Sequence, residues 1–170
     1  HEDQGVRYEI LLGLPERLYH SPQLSVALME GLQDSYSKIR TLSCYRLSKL
    51  RDHEARDRLK VHLGQDAKSL TLVDLRKLYA ALAIMGESSE FFIQRWAQSS
   101  GGLKLSTLTG RGKDEAHSLL IGLSLSGENQ EVRSLLTKEA SRKFGGSAIS
   151  EAARWGLGYL DATPNAKDQL

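Results

Sequence analysis

Along this chain of 170 residues a leucine followed by a small residue recurs four times, at Leu47-Ser48, Leu82-Ala83, Leu123-Ser124 and Leu157-Gly158, with spacings of 35, 41 and 34 residues. The apolar positions around these pairs keep a helical step. Leu72, Leu75, Leu78, Leu82 and Met85, spaced by three and four, make one stripe along a helix. Polar breaks follow at Arg51-Asp52-His53, Gly86-Glu87-Ser88, Gly127-Glu128-Asn129 and Asp161-Ala162-Thr163. Gly86 and Gly127 are helix-stop residues, whereas Asp52, Ser88, Asn129 and Thr163 before Pro164 are helix-start residues. Each unit therefore reads as helix, tight turn, antiparallel helix. First helices are predicted at about 36–50, 72–85, 113–126 and 147–160, and second helices at about 53–63, 88–99 and 129–143.

Periods of 34 to 41 residues belong to helical-hairpin solenoids rather than to a single closed core. The expected fold is all-α: a right-handed α-solenoid of about four to five antiparallel hairpins, without a β-sheet, forming one domain over 1–170. Approximate units are 5–33, 34–68, 70–100, 112–145 and 147–170. The recurring leucines and methionines are expected in the core, with the small residues after them admitting a neighbouring helix, and Phe92, Trp96, Val132, Leu135 and Leu136 are expected on the buried faces of the second helices. Thr71 and Asp74 form a capping-box pattern with Asp in place of Glu or Gln. The first unit, with helices predicted at 5–19 and 22–33 joined at Ser21-Pro22, departs from the others because Pro15 falls where the leucine belongs. Either it is an atypical terminal repeat or Pro15 kinks an ordinary one. Glycine, serine and threonine mark 99–113 as an insertion loop, and the last hairpin is cut short after Pro164, as in a trimmed or disordered tail.

Composition narrows the functional classes. The net charge of +2 does not by itself announce nucleic acid or membrane, but between Lys38 and Lys60 eight basic residues face Asp52, Glu54 and Asp57. The lone Cys44 cannot form an internal disulfide and sits among apolar neighbours as a core residue. No segment is apolar for the length of a membrane span and no signal segment is visible, so a cytoplasmic location is favoured; the non-Met start at His1 suggests processing or excision.

Site chemistry is sparse. Thr109-Gly110-Arg111-Gly112-Lys113 ends in Gly-Lys, yet the phosphate-loop pattern requires Gly where Thr107 stands and Ser or Thr where Asp114 stands. An ordinary basic loop remains at Arg111 to Lys113. His20, His53, His62 and His117 are scattered without metal-ligand spacing, so neither metal nor cofactor is expected and no catalytic set is visible. Arg40, Arg46, Lys49, Arg51, Arg56, Arg58 and Lys60 on one hairpin, with Arg133, Lys138, Arg142 and Lys143 on another, form either solvated faces of mixed charge or a surface for phosphates or an acidic protein. Trp96 and Trp155 are expected in the core rather than as exposed anchors.

Leu78 to Glu87 and Ala116 to Glu128, each an Ala/Leu-rich helix running into a Gly-Glu turn, followed in the second case by Gln130 to Leu136, resemble HEAT-type repeats over about 34–170. Departures are the proline early in the second helix, present only as Pro22 and Pro164, and the turn at 50–52, which lacks glycine. A tetratricopeptide array, whose residue pattern is not kept, ranks second. The resemblance implies a non-enzymatic adaptor or scaffold that presents a concave surface of second helices to a protein or peptide partner within a larger assembly. Expected contact residues are Arg56, Lys60, Gln94, Gln98, Arg133 and Thr137, with Arg111 and Lys113 from the loop. The alternative is a nucleic-acid-binding or DNA-repair protein whose basic hairpins contact phosphates; no residue argues for a third role, as a lyase or chaperone for a pigment or cofactor.

Overall fold

In the computed structural model the described residues are 3–15, 18, 21–50, 53–66, 70–100, 111–127, 129–142 and 147–163. Among them are nine α-helices and no strand: α1 (Gln4–Leu12), α2 (Pro22–Gly31), α3 (Ser37–Leu50), α4 (His53–Asp66), α5 (Leu72–Ile84), α6 (Ser89–Ser100), α7 (Arg111–Leu125), α8 (Gln130–Ala140) and α9 (Ser147–Ala162). They cluster into two compact units, His1–Met85 and Gly86–Leu170.

Cap chemistry sets many of the helix ends. Thr71 and Asp74 form the reciprocal capping box, closing two of the amides that the first turn of α5 leaves without partners. Asn129 accepts from the Val132 amide at 2.8 Å and the Ser88 hydroxyl from the Phe91 amide at 3.3 Å. Gly86 and Gly127 take φ of 82° and 106°, the left-handed turn that a side chain resists. Two expected boundaries move. α1 ends at Leu12 with Gly13 as its cap instead of running to residue 19, since Pro15 has no amide to continue the ladder. Of the insertion expected as loop at 99–113, residues 99–100 end α6 and 111–113 are the first turn of α7, while 101–110 lie outside the described residues.

In the first unit α3 packs against α1, α2 and α5, α4 against α5, and α2 against α4. In the second, α9 packs against α7 and α8, and α6 and α8 against α7. These packed pairs are all one or two places apart along the chain, a pattern compatible with a helical solenoid. The buried leucines Leu47, Leu82 and Leu123 occupy equivalent positions on α3, α5 and α7, each followed by a buried small residue, Ser48, Ala83 or Ser124.

The fourth pair breaks this register. Leu157 is half-buried and Gly158 exposed, whereas Ile149, Ala152, Ala153, Gly156 and Leu160 form the buried face of α9. That face matches Ala116, Leu119, Leu120 and Leu123 of α7 at a spacing of 33 residues, one fewer than the leucine alignment requires. The consequence is that Gly156, not Gly158, makes the close approach. A Cβ on Gly156 would collide with the Ser124 hydroxyl and lie 3.3 Å from Leu136 Cδ1, while one on Gly158 would meet nothing within 4 Å. Gly31 plays the same part in the first unit, where a Cβ would collide with the Ser43 hydroxyl. Trp155 also departs from expectation: it is 47% exposed and stacks on Tyr159 with centroids 5.6 Å apart, because the shifted register turns position 155 outward.

Asp74 ties α5 to α3. Besides its cap bonds it accepts from the Thr41 hydroxyl at 2.5 Å and pairs with Arg40 at 3.4 Å. Burial alone would raise its pKa, but the Thr41 and Thr71 donors and the Arg40 charge outweigh burial and hold it below the ordinary carboxylate value.

Two outcomes are expected. Gly156→Ala should cost about 1–3 kcal/mol in urea unfolding, whereas Gly158→Ala should stabilise the chain by about 0.5–1 kcal/mol; equal effects would disprove the 33-residue register. Because the Asp74 pKa is lowered in the folded state, its contribution is present above about pH 4 and lost as pH falls through the folded value. Asp74→Asn should therefore cost about 2–3 kcal/mol at pH 7 and markedly less at pH 3, as read by denaturant midpoints at the two pH values.

Candidate functional site

Much of the basic run between Lys38 and Lys60 is spent on structure. Arg46 is buried and donates to the Leu12 carbonyl at 2.8 Å and the Leu14 carbonyl at 3.1 Å, satisfying acceptors at the C-terminal end of α1. Arg40 donates to the Asp34 carbonyl at 2.7 Å and pairs with Asp74. Asp34 is itself bound two-pronged by Arg7, at 2.8 and 2.9 Å, and that hydrogen-bonded guanidinium holds its carboxyl below the usual range. These arginines join helices. They are not an open phosphate-binding row.

The expected contact residues are divided between the two units. On α4, Arg56 and Lys60 stand one turn apart and both reach Asp57, Lys60 at 2.9 Å and Arg56 at 3.7 Å. On α6 and α8, Gln94, Gln98 and Thr137 are exposed. Arg133 is partly exposed and bonds Asp161 of α9 through both terminal nitrogens at 3.0 Å. α6 and α8 start side by side, the Asn129 amide nitrogen donating to the Ser89 hydroxyl at 2.7 Å. Lys113 is half-buried in the first turn of α7, and the Arg111 side chain lies outside the described residues.

A concavity lies between the second helices α2 and α4. It has a volume of about 370 Å³, with apolar walls from Val26, Met29, Leu32 and Val61 and polar groups from Glu30, Gln33 and Arg58. Val26 and Val61 are 51% and 57% exposed, although neither belongs to the apolar stripe of its helix. At about 100° per residue Arg56 and Lys60 sit on the opposite flank of α4 from Arg58 and Val61. The groove therefore replaces the expected pair with residues that periodicity did not select. A β-branched apolar residue off the stripe, in a helix otherwise rich in charge, was the available signal.

Cys44 and Glu139 are buried away from the groove. Burial, with the Asp74 charge second, pushes the Cys44 thiol up to about 12, so it stays protonated and inert. Glu139 on α8 is only 1% exposed; its Oε2 lies 2.7 Å from Arg142 Nε but off the hydrogen-bonding direction. Burial raises its pKa against the lowering by Arg142 and Lys138. Among the described residues no three His, Cys, Asp or Glu side chains converge to hold a metal, and no helix is long and apolar enough to cross a membrane.

No family model, curated protein or solved structure matches this chain.

A raised Glu139 pKa means the folded state binds more protons than the unfolded one, so this group makes stability fall as pH rises from about 4.3 through its folded pKa. Glu139→Gln should remove that slope and be neutral or stabilising at pH 7, checked by thermal unfolding across pH 4–8; a loss above about 1 kcal/mol would show that the Arg142 pair stabilises the fold.

Proposed function

We propose that this chain is a HEAT-like α-solenoid module without enzymatic activity, which binds a protein or peptide along its second helices as part of a larger assembly. The observation that carries the reading is the α2–α4 groove, where Val26 and Val61 stand exposed beside the Met29 and Leu32 side chains. Apolar walls with one acidic and one basic group at hand suit an apolar side chain from a partner, oriented by polar contacts around it. Helix neighbours one and two places apart, small residues at close approaches and capped tight turns support the repeat architecture.

A nucleic-acid partner has less behind it. Arg40 and Arg46 face inward, and Arg56 and Lys60 contact Asp57, so the hairpin has fewer cations to offer phosphates than its composition suggests.

The test is quantitative affinity purification from the source cell using the full chain. Val26→Glu with Val61→Glu should reduce recovery of the main partner by about tenfold or more, since a charge enters an apolar contact. Arg56→Glu with Lys60→Glu should change it by less than about threefold. Undiminished recovery with the valine variants would reject the groove, and loss with the charge variants alone would move the site to the other flank of α4.

A further inference from the structure

The exposed sides of α3 and α5 carry charge of one sign. Arg40 and Thr41 meet Asp74, and Cys44 and Leu78 line the same small cavity as these three, so the two helices run parallel with residue 41 near 74 and residue 44 near 78. At about 100° per residue, Lys38, Tyr45 and Lys49 share the outward face of α3, and Val73, Arg76, Lys77, Ala80 and Ile84 the matching face of α5. Lys38, Lys49, Arg76 and Lys77 are all exposed, as are Tyr45, Val73 and Ile84 at about half of their surface. Asp74 is the sole carboxylate in either helix, and it is buried against Arg40 and Thr41. Lys38, Lys49 and Lys77 therefore share with several apolar side chains a surface to which these helices contribute no exposed anion.

We propose that this face docks an acidic segment of a partner protein that carries apolar side chains between its carboxylates. The occupant follows from charge and from what lies between the charges. Carboxylates placed against Lys38 at one end, Lys77 alongside, and Lys49 at the other end meet each cation, while Val73 and Ile84 offer apolar contact. From Lys38 to Lys49 the face is about 16 Å long, the length of three turns of a partner helix. Nucleic acid would use the cations but leave the aliphatic side chains idle, and Lys49 Nζ lies 5.4 Å from the Tyr45 centroid, over the ring face that a base would stack on. A lipid surface would need a contiguous apolar ridge, whereas Val73 and Ile84 stand about 16 Å apart along α5. This surface is formed by first helices and does not depend on the α2–α4 groove.

The experiment titrates the full chain into a fluorescein-labelled, helix-forming peptide of about 15 residues built from Glu and Leu, read by anisotropy at low and moderate salt. A second peptide carries Ser for each Leu; a duplex, a single-stranded DNA oligonucleotide, and phosphatidylserine–phosphatidylcholine vesicles complete the set. The Glu/Leu peptide should bind, and Lys49→Glu with Lys77→Glu should weaken it about tenfold or more. Val73→Ser should weaken it about threefold, and Lys138→Glu on α8 should leave it unchanged. If the charge reversals alter the far-ultraviolet circular dichroism, Lys49→Gln with Lys77→Gln should give a smaller loss in the same direction. Equal binding of the Ser-containing peptide, tighter binding of DNA or vesicles abolished by the same variants, or no peptide binding at about 100 μM would each overturn the proposal.

Discussion

Helices in this chain approach one another where a side chain is missing. Gly31 lies against Ser43 in the first unit and Gly156 against Ser124 in the second, and a single added methyl carbon at either position would run into the facing hydroxyl. The serines, fully buried, fill the space that the glycines leave. Ser124 returns its hydroxyl to the Leu120 carbonyl at 2.7 Å, so the contact costs no orphaned donor there. Close packing of this kind sets the positions of the flanking leucines, and with them which residues of each helix remain outside.

A second constraint is the use of charge as internal fastening. Asp74 serves both the first turn of α5 and the side of α3; Arg46 serves the last carbonyls of α1; Arg7 and Arg40 converge on Asp34 and its backbone. Each joins a helix end to a neighbour, where backbone groups lack partners of their own. The second unit uses the same logic more loosely, with Arg95 on Glu115 and Arg133 on Asp161 at or near the surface. Charge committed in this way is unavailable to a partner, and Lys38, Lys49 and Lys77 on the outward faces of α3 and α5 stand out because those helices carry no exposed acidic residue.

The helical steps, the capping pair Thr71 and Asp74, and the stop glycines Gly86 and Gly127 are local features, and the helices they predict are present. Burial of Leu47, Leu82, Leu123, Phe92 and Trp96 was legible for the same reason: each belongs to a stripe of period 3.6. Leu157 and Trp155 were misplaced because a leucine-small pair can fall one position off the buried face, a rotation of about 100° that a one-dimensional motif does not register. The candidate site was less legible still. Val26 and Val61 come from two helices more than thirty residues apart, and their shared groove exists only after α2 packs on α4.

The sequence by itself determined that the chain is helical, where many of its helices start and stop, and most of its core, since these depend on caps, turns and spacing within a few residues. Tertiary structure alone decided which glycine touches a neighbouring helix, which arginines turn inward, and which apolar and basic side chains stay exposed. Those outcomes depend on the rotation of one helix against another, and that rotation is set by packing between distant segments rather than by any local pattern.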